Sequence, residues 1–316
     1  MYKVVSTSPT FGKYSLDPVH LLEAEGCEVV ILPAEISHNE EKLAKALEDV
    51  DGLIVGVEKI TQNVLRHVPK LKVIAKHGAG VDNIDLKAAA EKDIPVAFAP
   101  GANRHAVADL AMGLMLSLAR EIPRSFTEVR EGEWPRVIGF EMFGKTLGVI
   151  GTGKIGKEVI RRAQGFQMKI LAFDLYPDQQ LSQSGLVIYV PLDQLYKESD
   201  FITIHTDLNE QSKAMIAKQQ LEAMKPTAFI VNTARGGIID EQDLYIALKE
   251  RKIGGAALDV FSAEPAKESR LLELANFIAT PHMAGYTYEA LREVGMITAR
   301  NVLNALKGEQ PEFVYC

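Results

Sequence analysis

Thr146-Leu147-Gly148-Val149-Ile150-Gly151-Thr152-Gly153-Lys154-Ile155-Gly156 decides the fold. A strand-like run enters G-x-G-x-x-G directly, and a helix-period segment, Ile155–Gln164, follows at once. The three glycines have separate tasks in such a turn. Gly151 makes the tight bend, Gly153 lets the backbone approach a pyrophosphate, and Gly156 lets the helix pack closely on the sheet. The helix N-terminus, with Thr152, Lys154 and Ile155 around it, offers free N–H groups to the anion. The next strand ends in Phe173-Asp174. A carboxylate there accepts hydrogen bonds from the ribose hydroxyls and repels a 2′-phosphate, which favours NAD over NADP. The glycine motif alone also fits methyltransferases with another adenosine cofactor; the flanking strand, helix and Asp174 favour the dinucleotide.

Downstream, short apolar runs alternate with helical segments: strands at Lys169–Phe173, Val187–Val190, Phe201–His205, Ala228–Asn232, Gly255–Asp259 and Phe277–Ala279. Upstream, the same rhythm runs through Val4–Ser6, Val29–Leu32, Gly52–Val55, Val73–Ala75 and Val96–Ala97. Strand–helix alternation of this kind predicts parallel sheets covered on both faces, and so an α/β chain of two doubly wound domains. Between the series lies Arg104–Arg120, apolar around most of its circumference and therefore a helix buried on most sides, either bridging domains or meeting another subunit. A last helix, near Tyr288–Lys307, is placed to return the chain to the first domain.

Composition bounds the rest. The 316 residues allow two domains, and 47% hydrophobic with 24% charged residues is globular. A net charge of −7 without a basic tract argues against nucleic acid and anionic membrane as partners. Two cysteines, Cys27 and Cys316, give no disulfide framework, and neither a signal peptide nor a spanning segment is expected, so a cytoplasmic location is.

Three later strands lead into ionisable residues: Asn232-Thr233-Ala234-Arg235-Gly236-Gly237, Asp259-Val260-Phe261-Ser262-Ala263-Glu264-Pro265 and Thr280-Pro281-His282. Ligands of open α/β sheets sit beyond the carboxyl ends of the strands, on the rim that also carries the Gly151 turn. These residue types suit hydride exchange with a 2-hydroxy acid. A histidine takes and returns the hydroxyl proton near neutrality. A carboxylate orients its ring, and an arginine fork holds a carboxylate and polarises the carbonyl oxygen.

At these residues, together with His77-Gly78-Ala79-Gly80-Val81-Asp82-Asn83-Ile84-Asp85 and Pro100-Gly101-Ala102-Asn103, the chain resembles the D-2-hydroxyacid dehydrogenases, most of all their phosphoglycerate dehydrogenase-like branch. The resemblance implies a Rossmann NAD-binding domain over 101–287 and a flavodoxin-like substrate domain over 1–100 plus 288–316. It implies Arg235, Glu264 and His282 as catalytic residues. NAD would be bound by the Gly151–Gly156 turn, Asp174, His205, Thr206, Thr233, Ala234, Asp259 and Gly285. The substrate would meet Lys76, the backbone of His77, Gly78, Ala79 and Gly80, Asn103 and Arg235. No metal is expected, and a homodimer through the 104–120 helix is. D-3-Phosphoglycerate is the first substrate expected, with glyoxylate or hydroxypyruvate as the alternative and an NAD-sensing co-repressor as a distant one. Two departures stand out. After the third strand, Val55-Gly56-Val57-Glu58-Lys59-Ile60 has no arginine for a phosphate and carries an added carboxylate, with Lys59 or Lys76 as possible cations. Asp207 stands where the family usually has proline. Ending at Cys316, the sequence is not expected to carry the serine-binding regulatory domain of longer phosphoglycerate dehydrogenases.

Overall fold

Apolar runs too short for helices become strands buried on both faces, as parallel sheets require. The computed structural model describes residues 1–315 and resolves them into two compact units, 1–103 with 285–315, and Arg104–Ala284. The cut thus falls three residues past 100 and three before 288.

In the first unit β1 (Tyr2–Ser6), β2 (Cys27–Ile31), β3 (Gly52–Val55), β4 (Val73–Lys76) and β5 (Val96–Ala97) form one sheet in the order β2-β1-β3-β4-β5. Every pair is parallel. This is the flavodoxin-like order, whose chain reverses direction across the sheet between β1 and β3. One face packs Leu43, Leu47, Leu53, Val64 and Ile74. The other packs Val4, Ile54 and Val73 against Phe11, Leu22 and the apolar side of the helix Tyr288–Leu306, whose Ala299, Val302 and Leu303 enter the core. The last helix therefore completes the first unit's sheet.

The second unit holds β6 (Thr146–Ile150), β7 (Lys169–Phe173), β8 (Ile188–Tyr189), β9 (Phe201–Ile204), β10 (Phe229–Asn232), β11 (Gly255–Leu258) and β12 (Phe277–Ala279), all parallel, in the order β12-β11-β10-β9-β6-β7-β8. The order is that of a dinucleotide-binding sheet with one strand added, and it reverses between β6 and β9. Register sets the rim. Ile150 lies opposite both Phe173 and Ile204, Ile204 opposite Asn232, Asn232 opposite Leu258, and Leu258 opposite Ala279. Gly151, Asp174, His205, Thr233, Asp259 and Thr280 are therefore each the first residue past the same edge.

The helix Arg104–Ala119 lies on this sheet, against β10, β11, β12 and the helix Lys154–Ala163, and buries Ala108, Ala111, Leu114, Met115 and Leu118 there. The one carboxylate in its apolar stretch, Asp109, pairs with Arg162 at 2.6 Å. Most of its apolar surface is thus used within its own unit. A helix not expected from the sequence, Ile122–Arg130, follows it and buries none of its residues. Among the described residues no helix is long and apolar enough to cross a membrane.

Candidate active site

The glycine turn is built by close approach. Gly151 has φ +94°, in the left-handed region, and a Cβ on it would lie 2.4 Å from the His205 carbonyl oxygen. A Cβ on Gly156 would lie 2.1 Å from the Gly151 oxygen, so only glycine lets the helix start this near the strand. Gly153 is the N-cap; it faces open space, and no side chain caps the helix. An uncapped N-terminus at the reversal point of the sheet is a cradle for phosphate. Beside it a cavity of about 230 Å³ is lined by Gly151, Asp174, Leu175, Tyr176 and Thr206, among others. Asp174 Oδ2 accepts from the Thr152 N–H at 2.7 Å and the Thr152 hydroxyl at 3.0 Å, and Oδ1 accepts from the Tyr176 N–H at 2.9 Å. The carboxylate is fixed at the cavity wall, and the Thr152 N–H is spent on it. Tyr189, which the sequence did not single out, braces the pair through Thr152 Oγ1 at 2.8 Å.

His205, expected to contact NAD, presents its backbone rather than its ring to the glycine turn. Its ring turns inward, with Nε2 2.9 Å from Thr203 Oγ1 and Nδ1 buried without a partner among the described residues, and burial pushes it down to about 3. A neutral inward ring supports the strand end, and it is the carbonyl that packs under Gly151. The side chain of Asp207 is exposed, and its carbonyl accepts from Ser212 Oγ at 2.6 Å.

At the β11–β12 end of the rim, two ionisable side chains meet. His282 Nδ1 lies 2.8 Å from Glu264 Oε2, and Glu264 Oε1 accepts from the Phe261 N–H at 3.0 Å. With the carboxylate on Nδ1–H, the tautomer leaves Nε2 as an acceptor. The histidine backbone has φ +53°, a conformation that costs a non-glycine residue about 1 kcal/mol or more and persists only where neighbours hold it. Asp259 does the holding. Fully buried, its carboxylate accepts from Thr280 Oγ1 at 2.6 Å, Met283 N–H at 2.9 Å and Ala284 N–H at 3.0 Å, while its carbonyl accepts from the His282 N–H at 2.8 Å. Expected as a nicotinamide contact, Asp259 is first of all the clamp on the histidine loop.

Arg235 is presented by a similar clamp. Asn232, the last residue of β10 and fully buried, accepts from the Ala234 N–H at 2.9 Å and donates to the Arg235 carbonyl at 2.8 Å. Sequence reasoning quoted Asn232 only as part of a motif; its signal was an amide at a strand end two residues before a turn. Thr233 keeps a buried hydroxyl with no partner among the described residues.

In the first unit, the expected anion loop leaves β4. The His77 N–H is already taken by the Val55 carbonyl at 2.9 Å, which removes it from the expected set. Those of Gly78, Ala79 and Gly80 have no partner among the described residues. Burial, helped by the Lys76 charge, pushes the His77 ring down to about 4, so it is neutral and edge-on to Phe11 at 5.6 Å. Lys76 donates to the Gly56 carbonyl and, at 2.8 Å, to Asn83 Oδ1. Gly285 lies close to Asn103, whose Oδ1 is buried without a partner.

Comparison with known proteins agrees with this geometry. The chain is 43% identical over 318 residues to a D-3-phosphoglycerate dehydrogenase of Methanocaldococcus jannaschii, covering 99% of this chain and 59% of that protein. It thus spans less than two thirds of that relative's length. A hydroxypyruvate reductase of Thermotoga maritima is 44% identical over 273 residues, 84% of this chain and 88% of that one. The apo-structure of D-lactate dehydrogenase from Escherichia coli superposes with a TM-score of 0.88 at 34% identity over the whole of both chains. Residues 112–284, which carry the glycine cradle, the Asp174 wall and the His282–Glu264 pair, match the family model for the NAD binding domain of D-isomer specific 2-hydroxyacid dehydrogenases, and it is to this family that the chain belongs.

Proposed function

We propose that the protein interconverts a short 2-oxo acid and its D-2-hydroxy acid with NAD(H). The observation that carries the reading is the His282 Nδ1–Glu264 contact of 2.8 Å on the rim that also presents the Arg235 turn and the glycine cradle. The glycine turn and Asp174 suit NAD, which when bound supplies or accepts a hydride at the substrate's second carbon. In the reducing direction, Arg235 polarises the carbonyl oxygen as negative charge grows on it. The protonated His282 gives that oxygen its proton from Nε2, and Glu264 holds the imidazolium while it exists. In the oxidising direction Nε2 takes the hydroxyl proton back. The unpartnered N–H groups of Gly78–Gly80 suit a carboxylate.

The two relatives above are named for a phosphorylated and an unphosphorylated substrate, and the chemistry common to both is the one proposed. Stopped assays with glyoxylate, hydroxypyruvate and 3-phosphohydroxypyruvate test it. NADH consumption with a D-configured product from hydroxypyruvate and 3-phosphohydroxypyruvate supports the reading, and consumption of NADH by none of the three overturns it. A homodimer and a cytoplasmic location belong to the same proposal. Because the helix Arg104–Ala119 is largely used within its unit, the dimer contact is assigned to the exposed apolar residues after it, including Phe126, Trp134 at 81% and Ile138 at 91% exposure. Sedimentation of the Trp134→Glu variant as a monomer, and of the native chain as a dimer, is the expected result.

A further inference from the structure

One loop of the second unit meets both the cavity beside the glycine turn and the turn that presents Arg235. Residues 206–215 leave β9, and Thr206, Asn209, Gln211, Ser212 and Met215 line that cavity. Towards its end the Ala214 N–H donates to the Gly237 carbonyl at 2.8 Å, and the Ile216 N–H donates to the Ile238 carbonyl at 3.2 Å. Both Cδ atoms of Leu208 lie 3.8 Å from the place a Cβ would take on Gly237. Asn232 holds the Arg235 turn at its start, through Ala234 and Arg235. Leu208 and the Ala214 N–H meet it at its other end, where Gly237 has φ +81° and no side chain of its own to anchor it.

The loop keeps this shape against its own preferences. Ala214 has φ +49°, a left-handed conformation that persists in a residue with a Cβ only where neighbours hold it. Asp207, where the resembled family usually has proline, brings no ring to stiffen the backbone. Ser212 supplies the stiffness instead. The residue is 6% exposed, and its hydroxyl donates to the Asp207 carbonyl at 2.6 Å and accepts from the Asn209 N–H at 2.8 Å. Asn209 Oδ1 accepts in turn from the Gln211 and Ser212 N–H groups at 2.9 and 3.0 Å. These bonds fix 207–212 as one turn, and Leu208 is the side chain it sets against Gly237.

Resting on the function proposed above, we propose that Leu208 and Ser212 are positioning residues for Arg235: Ser212 fixes the 207–212 turn, the turn seats Leu208 on Gly237, and Leu208 steadies the end of the Arg235 turn that Asn232 does not reach. The cavity wall and the support of the guanidinium are thus one piece of backbone.

The test is kcat/KM at saturating NADH for whichever of hydroxypyruvate, glyoxylate and 3-phosphohydroxypyruvate the native protein reduces fastest, with NADH affinity and thermal unfolding measured beside it. Leu208 is 41% exposed and is not among the residues lining the cavity, so its truncation spares both core and cavity. Leu208→Ala should lower kcat/KM about tenfold with NADH affinity within about twofold of native, and Leu208→Met, which keeps the volume, should stay within about twofold in both. Ser212→Ala, which leaves the Asp207 carbonyl and the Asn209 N–H without their partner, should lower kcat/KM by a similar factor. In an Arg235→Lys background, which lacks the fork that the placement serves, Leu208→Ala should cost less than about twofold, because a residue that acts through another loses its effect with it. Equal losses in both backgrounds, or kcat/KM of Leu208→Ala within about twofold of native, overturns the positioning role while leaving the reaction class standing. Leu208→Val carries the same comparison if the alanine variant does not fold. Reduction of none of the three acids by the native protein overturns both.

Discussion

Gly236→Ala tests how closely the Arg235 turn is packed on the loop that carries Glu264. A Cβ at Gly236 would lie 2.0 Å from the Phe261 carbonyl oxygen and 2.1 Å from its carbon, both backbone atoms, so the two segments must part by about 1 Å before the contact reaches 3.0 Å. Neither side yields freely. Asn232 holds the turn through Ala234 and Arg235, while the Phe261 and Ser262 N–H groups are held by Glu264 at 3.0 Å and Glu241 at 2.6 Å. The displacement therefore reaches Arg235, or reaches His282 through Glu264. A misplacement of about 1 Å at a reacting centre costs about 100-fold, or about 2.7 kcal/mol of transition-state stabilisation. The Gly151 turn is untouched, so NADH affinity should stay within about twofold of native on the same scale. Steady-state kcat/KM, NADH titration by fluorescence and thermal unfolding separate these effects. Retention of kcat/KM within about threefold in a variant that unfolds like the native protein would refute the packing argument.

Other substitutions and conditions have equally defined outcomes. Glu264→Gln leaves a ring partner but no charge for the imidazolium; kcat should fall by about 10- to 100-fold with NADH affinity unchanged, and an unaltered kcat would remove Glu264 from the reaction. Asp174→Ala removes the carboxylate from the cavity wall, so the ratio of kcat/KM with NADPH to that with NADH should rise about tenfold or more; a constant ratio would show that Asp174 does not face the ribose. His77 and His205 are pushed below the ordinary histidine value of 6.5, to about 4 and about 3. From pH 7 to 5 the unfolded chain takes up protons that these rings refuse in the folded one, so stability falls with acidity, by about 2 kcal/mol for each ring. Urea midpoints at the two pH values measure the loss, which His77→Gln should reduce; a midpoint independent of pH would show that neither ring is buried neutral.

What the sequence revealed follows from how local each signal is. The Gly151 turn was legible because strand, glycines and helix are contiguous, and their chemistry depends on backbone conformation. Arg235, Glu264 and His282 were legible because each follows a strand of one parallel sheet, and register brings such ends to one edge. The clamping roles of Asp259 and Asn232 were not, because they depend on which N–H groups lie within 3.0 Å, which no periodicity encodes. The orientation of His205 was not legible for the same reason: the motif showed a histidine at the rim, and only packing decides whether its ring or its carbonyl faces the glycine turn. The helix after Arg120 is short, and its stripe of Ile122, Phe126 and Val129 stays exposed instead of joining the core, so it escaped notice. Glu58 was visible as a departure from the family, but its burial was not.

The central claim is that His282 handles the proton for a hydride exchange whose cofactor sits elsewhere on the same rim. The most direct measurement is single-turnover oxidation of bound NADH by a 2-oxo acid, native protein against His282→Ala, at matched NADH occupancy. Native protein should consume its NADH, while His282→Ala should bind NADH with native affinity and consume it slower by about 100-fold or more. Consumption at the native rate by His282→Ala would contradict the account.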